Sequence, residues 1–467
     1  MKPIPLKVVP PEDRDGSLYA AHQKIYPHEA KGRFQTLRTA AVFWLLGMFY
    51  LFPWVNWDGH QAVLFDLPAR KFYIFSLTFW PQDFFLLTIL LIIAAVSLFF
   101  FTALAGRLWC GYACPQTVWT EVFLWMERWA EGDRNKRMKL DKGPWTREKI
   151  LRKTAKQALW IGFAAWTGFS FVGFFTPIRT LSHEVATLAL GGWEIFWILF
   201  YGLATYGNAG FLREQVCKYM CPYARFQGAM FDPDTLVISY DEARGEPRGA
   251  RKKSADPKAL GLGDCIDCEL CVQVCPTGID IRNGLQYECI ACAACIDACD
   301  MVMDKMGYAR GLVRYTTENM MVDKPRRVIR PRTLIYAGLL TALFSAFLFG
   351  VLTRTPVLAE MMHDRNALFR ETSLGDIENT YNVRLVNKSD VERTLTPRIE
   401  ADFPVTLVDA KPVHLAPMEV VQVALTLRAP SDRITPKQAV RSVFVDEAGN
   451  EVARARSQFF GPRPNPK

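Results

Sequence analysis

Apolar residues fall along this chain in blocks, and several blocks have the length of a membrane span. Five segments are apolar over the roughly 20 residues a helix needs to cross a bilayer: Arg38–Trp57, Asp83–Gly106, Ala158–Ile178, Trp193–Leu212 and Thr333–Leu352. Pro53 closes the first early and Glu194 stands at the start of the fourth. Trp54, Trp57, Trp80, Trp193 and Trp197 lie near the ends, where an aromatic belt is expected. Beyond the last span the pattern shortens to partial alternation. Tyr381–Val386, Val420–Leu427 and Arg441–Val445 are β-branched and apolar, and turn residues at Asn387–Ser389, Ala429–Asp432 and Glu447–Asn450 separate them. Roughly seven short strands in about 95 residues predict an immunoglobulin-like sandwich.

Charge orients this arrangement. The connection Arg107–Lys156 carries twelve Lys or Arg, and Arg213–Arg332 is also basic. The connections Asp58–Pro81 and Arg179–Gly192 hold only Arg70, Lys71 and Arg179. The positive-inside rule therefore puts the N-terminus and both basic loops in the cytoplasm, and five spans put the C-terminus in the periplasm of a bacterial inner membrane. This placement accounts for the net charge of +9 without a nucleic-acid partner. Met1–Lys31 is polar, so no cleavable secretory signal is expected. The expected order is a cytoplasmic segment (1–37), four transmembrane helices (38–212), a cytoplasmic module (213–332) entered through the polar linker Asp241–Gly263, a fifth span (333–352) and the outer sandwich (353–467).

Cysteine spacing adds the chemistry. All twelve cysteines lie between Cys110 and Cys299, in closely spaced groups, which is a ligand pattern and not a disulfide scaffold. Cys265, Cys268, Cys271 and Cys275-Pro276 repeat as Cys289, Cys292, Cys295 and Cys299. This is the spacing of a bacterial two-cluster ferredoxin, in which the fourth cysteine of each run reaches the other cluster. One [4Fe–4S] cluster is thus expected on Cys265, Cys268, Cys271 and Cys299, the other on Cys275, Cys289, Cys292 and Cys295. The second run departs from the usual form in having Asp300 where proline is expected. Zinc also takes four cysteines, but rarely at this spacing and in tandem.

The remaining four cysteines form two similar motifs, Trp109-Cys110-Gly111-Tyr112-Ala113-Cys114-Pro115 and Val216-Cys217-Lys218-Tyr219-Met220-Cys221-Pro222, at the cytoplasmic ends of the second and fourth spans. Spacing i, i+4 puts both sulfurs on one helix face if the span continues that far. Proline opposes helix at the residue before it and suits the first position of a new one. Cys114 and Cys221 would then cap helices through Gln116–Glu131 and Tyr223–Phe231, where a helix N-terminus lowers a thiol pKa. Four thiolates at one membrane face can bind Cu(I) or work as redox dithiols, and the bland alternative is buried structural cysteine. Met361, Met362 and His363 are a weaker copper candidate, more often interface packing. None of the six histidines lies in an expected span, which argues against a bis-histidine haem in the membrane.

With Gly106-Arg107-Leu108-Trp109-Cys110, both Cys-x3-Cys-Pro motifs and the two ferredoxin runs in this order, the chain resembles the FixG/RdxA/CcoG family of cytochrome-oxidase accessory proteins, which are membrane polyferredoxins. The resemblance covers nearly the whole chain. It implies a role in assembling cbb-type cytochrome oxidase through reduction of Cu(II) to Cu(I), with oxidase assembly factors, a copper chaperone or transporter and an unidentified electron donor as partners. Two other roles fit the residues: an electron conduit between a soluble donor and the quinone pool, and a non-enzymatic assembly scaffold gripping oxidase subunits through the sandwich.

Overall fold

The computed structural model describes residues 24–257, 259–389 and 391–462. The polar stretch Met1–Gln23, part of the segment expected to carry no secretory signal, lies outside the described residues. The chain forms two compact units, residues 1–68 with 87–345, and residues 69–86 with 346–467.

Among the described residues, four helical segments are long and apolar enough to cross a membrane: Arg33–Trp54, Pro81–Ala105, Gly192–Leu212 and Pro331–Leu352. They match four of the five expected spans. The first comprises helix α1 (Arg33–Leu51) and a closing turn at Phe52–Trp54. Helix α2 (Phe84–Ala105) ends at Gly106, whose positive φ of 56° turns the chain into the short α3 (Leu108–Tyr112). Helices α4 (Pro115–Glu131) and α5 (Arg134–Lys142) follow.

The expected span Ala158–Ile178 divides differently. Its first part is the end of a 26-residue helix, α6 (Arg147–Val172), whose opening turns carry Arg147, Lys149, Arg152, Lys153 and Lys156. A break at Gly173–Pro177 separates it from α7 (Ile178–Thr187). Helix α6 runs antiparallel along α8 (Gly192–Thr205): Ala164 faces Gly202, and a side chain at Gly168 would overlap the Ile198 carbonyl. Small residues allow this backbone approach, as membrane helix pairs require. Helix α8 continues as a π-helical turn, Tyr206–Leu212, and a second such turn, Val216–Met220, leads to α9 (Pro222–Met230).

Buried charges tie the basic loop down. Glu127 of α4 is fully buried and meets Arg137 at 3.1 Å and Arg213 at 2.9 Å. Glu131, one turn on, meets Lys153 at 3.0 Å and Lys156 at 2.9 Å. The cysteine-rich module is built on an antiparallel pair, Val237–Tyr240 with Val313–Thr316, and on helices Leu270–Gln273 and Ala294–Met306. Ile238, Ile281, Ile296, Met303, Leu312 and Val313 form its core. Asp297 joins it to α1 by accepting the main-chain N–H of Phe34 (3.2 Å) and Gln35 (2.7 Å), which caps that helix.

In the second unit two antiparallel sheets stack face to face. One has the order Thr406–Val408, Val420–Pro430, Asp376–Asn387, Val357–His363, and the other Val413–Leu415, Arg393–Ala401, Lys437–Val445, Glu451–Phe460. Tyr381, Val383, Leu385, Leu427, Phe444 and Phe459 fill the space between them. The Tyr381 hydroxyl donates to the Gln458 carbonyl at 2.8 Å. At its base, buried Asp83 pairs with Arg354 (2.9 Å) and Lys388 (3.0 Å).

Candidate functional site

The two ferredoxin runs share a backbone conformation that their sequences only partly declare. Asp267 and Glu269, on either side of Cys268, have φ of 54° and 55°. Ala291 and Ala293, on either side of Cys292, have 53° and 61°. Left-handed non-glycine residues cost about 1–2 kcal/mol each, so four at equivalent positions mark a geometry held for a purpose. The purpose is visible in the cavities. One of about 370 Å³ is ringed by Cys265, Cys268, Cys271 and Cys299. The other, about 340 Å³, is ringed by Cys275, Cys289, Cys292 and Cys295, and Cys271 borders both. The cysteines that the spacing groups together line a common cavity in each case.

The donor set fits a cluster better than a single ion. All twelve cysteines are free thiols. Among the described residues, no three His, Cys, Asp or Glu side chains converge closely enough to hold one metal ion, so each sulfur ring surrounds a volume and not a point. Main-chain N–H groups of Thr277 and Ile279 reach Cys275, that of Ala291 reaches Cys289 at 3.4 Å, and that of Val313 reaches Cys299. Such N–H···S bonds favour the thiolate and tune cluster potentials. Burial, with neighbouring thiols adding to it, pushes the thiols of Cys271, Cys289 and Cys299 up to about 12 and Cys295 well above its usual value. These cavities thus favour thiolates only where iron supplies positive charge, which deprotonates a coordinating thiol outright.

The membrane-end motifs pack against the second run. Cys110 sits on α3 and touches the apolar cluster of Ile290, Cys292 and Ala294. A Cβ on Gly111 would stand 2.8 Å from the Ile290 carbonyl oxygen and 2.9 Å from that of Ala291, so only glycine fits. Cys114 and Cys221 are the N-caps of α4 and α9, each followed by proline at the first helical position, as the Cys-Pro pairs predict. The paired sulfurs do not share one helix face, because α2 stops at Ala105 and Cys217 lies in a π-helical turn. All four sulfurs nevertheless lie within electrostatic reach of one another. Cys217 and Cys292 both open onto a cleft of about 600 Å³.

One expectation fails here. Burial, the larger effect, raises the Cys114 thiol above its usual value despite N–H contacts from Thr117 and Gln116 at the helix start. Burial likewise pushes Cys110 up to about 11 and Cys217 up to about 12. The helix N-terminus does not offset desolvation. The outer candidate fails as well. Met361, Met362 and His363 alternate along one strand, with Met361 buried and Met362 exposed. The His363 ring is engaged by Asn379 (3.0 Å) and the Asp364 carbonyl (2.7 Å).

Several residues at the site were not singled out as ligands by the sequence. Gln227, fully buried on α9, approaches the Cys110 sulfur at 3.5 Å. Gln116 donates to the carbonyls of Asn208 (2.9 Å), inside the π-helical turn, and of Arg213 (3.0 Å), which caps it. Arg38 of α1 donates to the Cys292 carbonyl at 2.7 Å, and Arg107 to those of Cys289 (3.3 Å) and Ala224 (2.6 Å). The pattern Gly-Arg-Leu-Trp-Cys was the only sequence signal for Arg107, and Arg38 had none.

Comparison with known proteins agrees with this layout. The family model described as a 4Fe-4S dicluster domain matches residues 212–318. A 4Fe-4S binding domain matches 86–136, and the IG-like fold at the C-terminal of FixG matches 347–462. The nitrogen fixation protein FixG of Rhizobium meliloti (strain 1021) is 42% identical over 95% of this chain and 90% of its own. Protein RdxB of Cereibacter sphaeroides is 42% identical over 85% of this chain and 86% of its own. Protein RdxA of the same organism is 38% identical, over 96% and 99% respectively.

Proposed function

The chain belongs to the FixG/RdxA/RdxB family of iron–sulfur electron-transfer proteins, and on that premise we propose that it is a membrane-bound cupric reductase serving assembly of cbb-type cytochrome oxidase. Cys265, Cys268, Cys271 and Cys299 hold one [4Fe–4S] cluster, and Cys275, Cys289, Cys292 and Cys295 the other. When bound, such clusters supply one-electron carriers. Cys110, Cys114, Cys217 and Cys221 receive the substrate, Cu(II), which takes one electron and leaves as Cu(I), the form that soft thiolates prefer. The electron comes from a reduced cytoplasmic carrier or a quinol, and Cu(I) passes to a copper chaperone or transporter. In this reading the chain crosses the inner membrane five times, with both cysteine sites at the cytoplasmic face and the sandwich in the periplasm.

One observation carries the reading: the loop Ile290–Cys292 both walls the second cavity and abuts Cys110 and Gly111. A carrier in that cavity and an acceptor at the membrane-end cysteines would therefore be neighbours. The test is copper reduction by the dithionite-reduced, purified protein. A Cys110→Ser/Cys114→Ser variant should lose most of the rate with both cluster EPR signals intact, and an unchanged rate would refute the acceptor site.

The quinone-conduit reading is favoured by one feature, a cavity of about 1010 Å³ walled by Phe171, Phe175, Trp193, Trp197 and Tyr201. Quinone reduction insensitive to copper chelators and lost in a Trp197→Ala variant would support it over copper reduction.

A further inference from the structure

Arg38 and Arg107 are among the most buried cations in the first unit, at 8% and 6% exposure. Among the described residues, neither forms an ion pair with a carboxylate. The guanidinium of Arg38 donates to the Cys292 carbonyl and to the Gln35 side chain. Arg107 donates to the carbonyls of Tyr287, Cys289 and Ala224. Asp297 and Glu121 lie near enough to offset part of the Arg38 charge, but neither contacts its guanidinium. Asp297 uses both oxygens to cap α1, and Glu121 accepts from Gln35 and Trp125. A buried guanidinium whose direct contacts are all neutral is unfavourable, most of all at Arg107, so the fold implies a further anion beside the pair. Both sit on the loop Tyr287–Cys292, which borders the second cavity.

The first cavity has the opposite balance. Its buried arginine, Arg282, is neutralised by Asp280 through paired contacts at 2.8 and 2.7 Å and by Asp267 at 2.5 Å. Arg251 also donates to the Cys265 carbonyl, at 3.2 Å; its Nη2 is buried without a hydrogen-bond partner among the described residues, but the side chain as a whole is partly exposed, which weakens its charge. A [4Fe–4S] core with four thiolates is a net anion whose charge grows by one on reduction. Uncompensated positive charge therefore favours its reduced form, and compensated charge does so less.

We propose that Arg38 and Arg107 hold the cluster bounded by Cys275, Cys289, Cys292 and Cys295 at a higher reduction potential than its partner, so that a single electron entering the pair resides on the membrane-facing cluster. This rests on the reading that the eight cysteines hold two clusters. The electron lost by one cluster is the electron gained by the other, and no further reactant is needed.

The test is an EPR-monitored dithionite titration of the anaerobically purified full chain, which first counts the clusters. Fewer than two signals in the wild type would defeat the two-cluster reading and the proposal with it. Given two signals, R38Q and R107Q should each lower the higher potential by at least tenfold in the reduced-to-oxidised ratio, about 59 mV for one electron, and leave the lower one in place. R38K, which keeps the charge, should restore most of the difference. D267N, which frees part of the Arg282 charge, should raise the lower potential and not the higher. Equal movement of both potentials, or none, overturns the proposal. Where the glutamine variants lose iron, the wild type decides: two potentials closer than about 59 mV overturn the proposal, and a wider gap that D267N narrows by raising the lower one supports it.

Discussion

Gly111 and Lys218 occupy the same place in the two Cys-x3-Cys-Pro motifs, yet the structure treats them differently. Gly111 lies under the carbonyls of Ile290 and Ala291, whereas Lys218 sits in a π-helical turn with its side chain partly exposed. Gly111→Ala must push the Ile290–Cys292 loop outward. It should cost about 1–3 kcal/mol, the usual penalty for overfilling a packed contact. Lys218→Ala should stay within about 0.5 kcal/mol. Thermal unfolding of the two variants measures the difference, and iron content should fall only in the first. The sequence displays the cysteines and prolines at this scale because their chemistry is local. It does not display Arg38 or Arg107 as site residues, since a basic residue beside a span already satisfies the positive-inside pattern. Only burial without an acidic partner separates them from ordinary flanking charges.

Among elements, the loop between α4 and α6 is held by charge. Burial pushes the Glu127 carboxyl up, but Arg213 and Arg137 outweigh it and hold the group below the ordinary carboxylate value. Its folded pKa is thus depressed. The stability it contributes is complete above the ordinary value and fades as pH falls through the lower, folded one. Glu127→Gln leaves Arg137 buried and unpaired, and should cost about 3–5 kcal/mol at neutral pH. The gap between variant and wild type should close as the medium is acidified, which urea unfolding at a series of pH values would record. An unchanging gap would show that Glu127 acts by packing alone. Element starts at Cys114 and Cys221 were legible because proline fixes a helix's first residue. The π-helical turns at Tyr206–Leu212 and Val216–Met220 were not, since a slip of one residue in hydrogen-bond register leaves no compositional trace. The charged opening of α6 likewise hid where its apolar part begins and ends.

For the whole molecule, we propose five crossings, on an argument from the cysteines themselves. Cys110 and Cys114 follow α2, Cys217 and Cys221 follow α8, and the four sulfurs lie together. Helices α2 and α8 must then run the same way through the bilayer, which requires one crossing between them. In this reading helix α6 supplies it, lying antiparallel to α8 with Ala164 against Gly202 and Trp160 against Gly210. Its basic first turns, Arg147–Lys156, stay on the side of the cysteines. Were α6 to lie outside the membrane, the two motifs would face opposite compartments, and the C-terminus would return to the cytoplasm. Five crossings therefore predict that alkaline phosphatase fused after Pro462 or Ala189 is active, and that a fusion after Lys142 is inactive. An inactive fusion after Pro462 beside an active one after Phe65 would mean four crossings. It would remove the four-cysteine site along with the topology, because the two motifs could no longer meet.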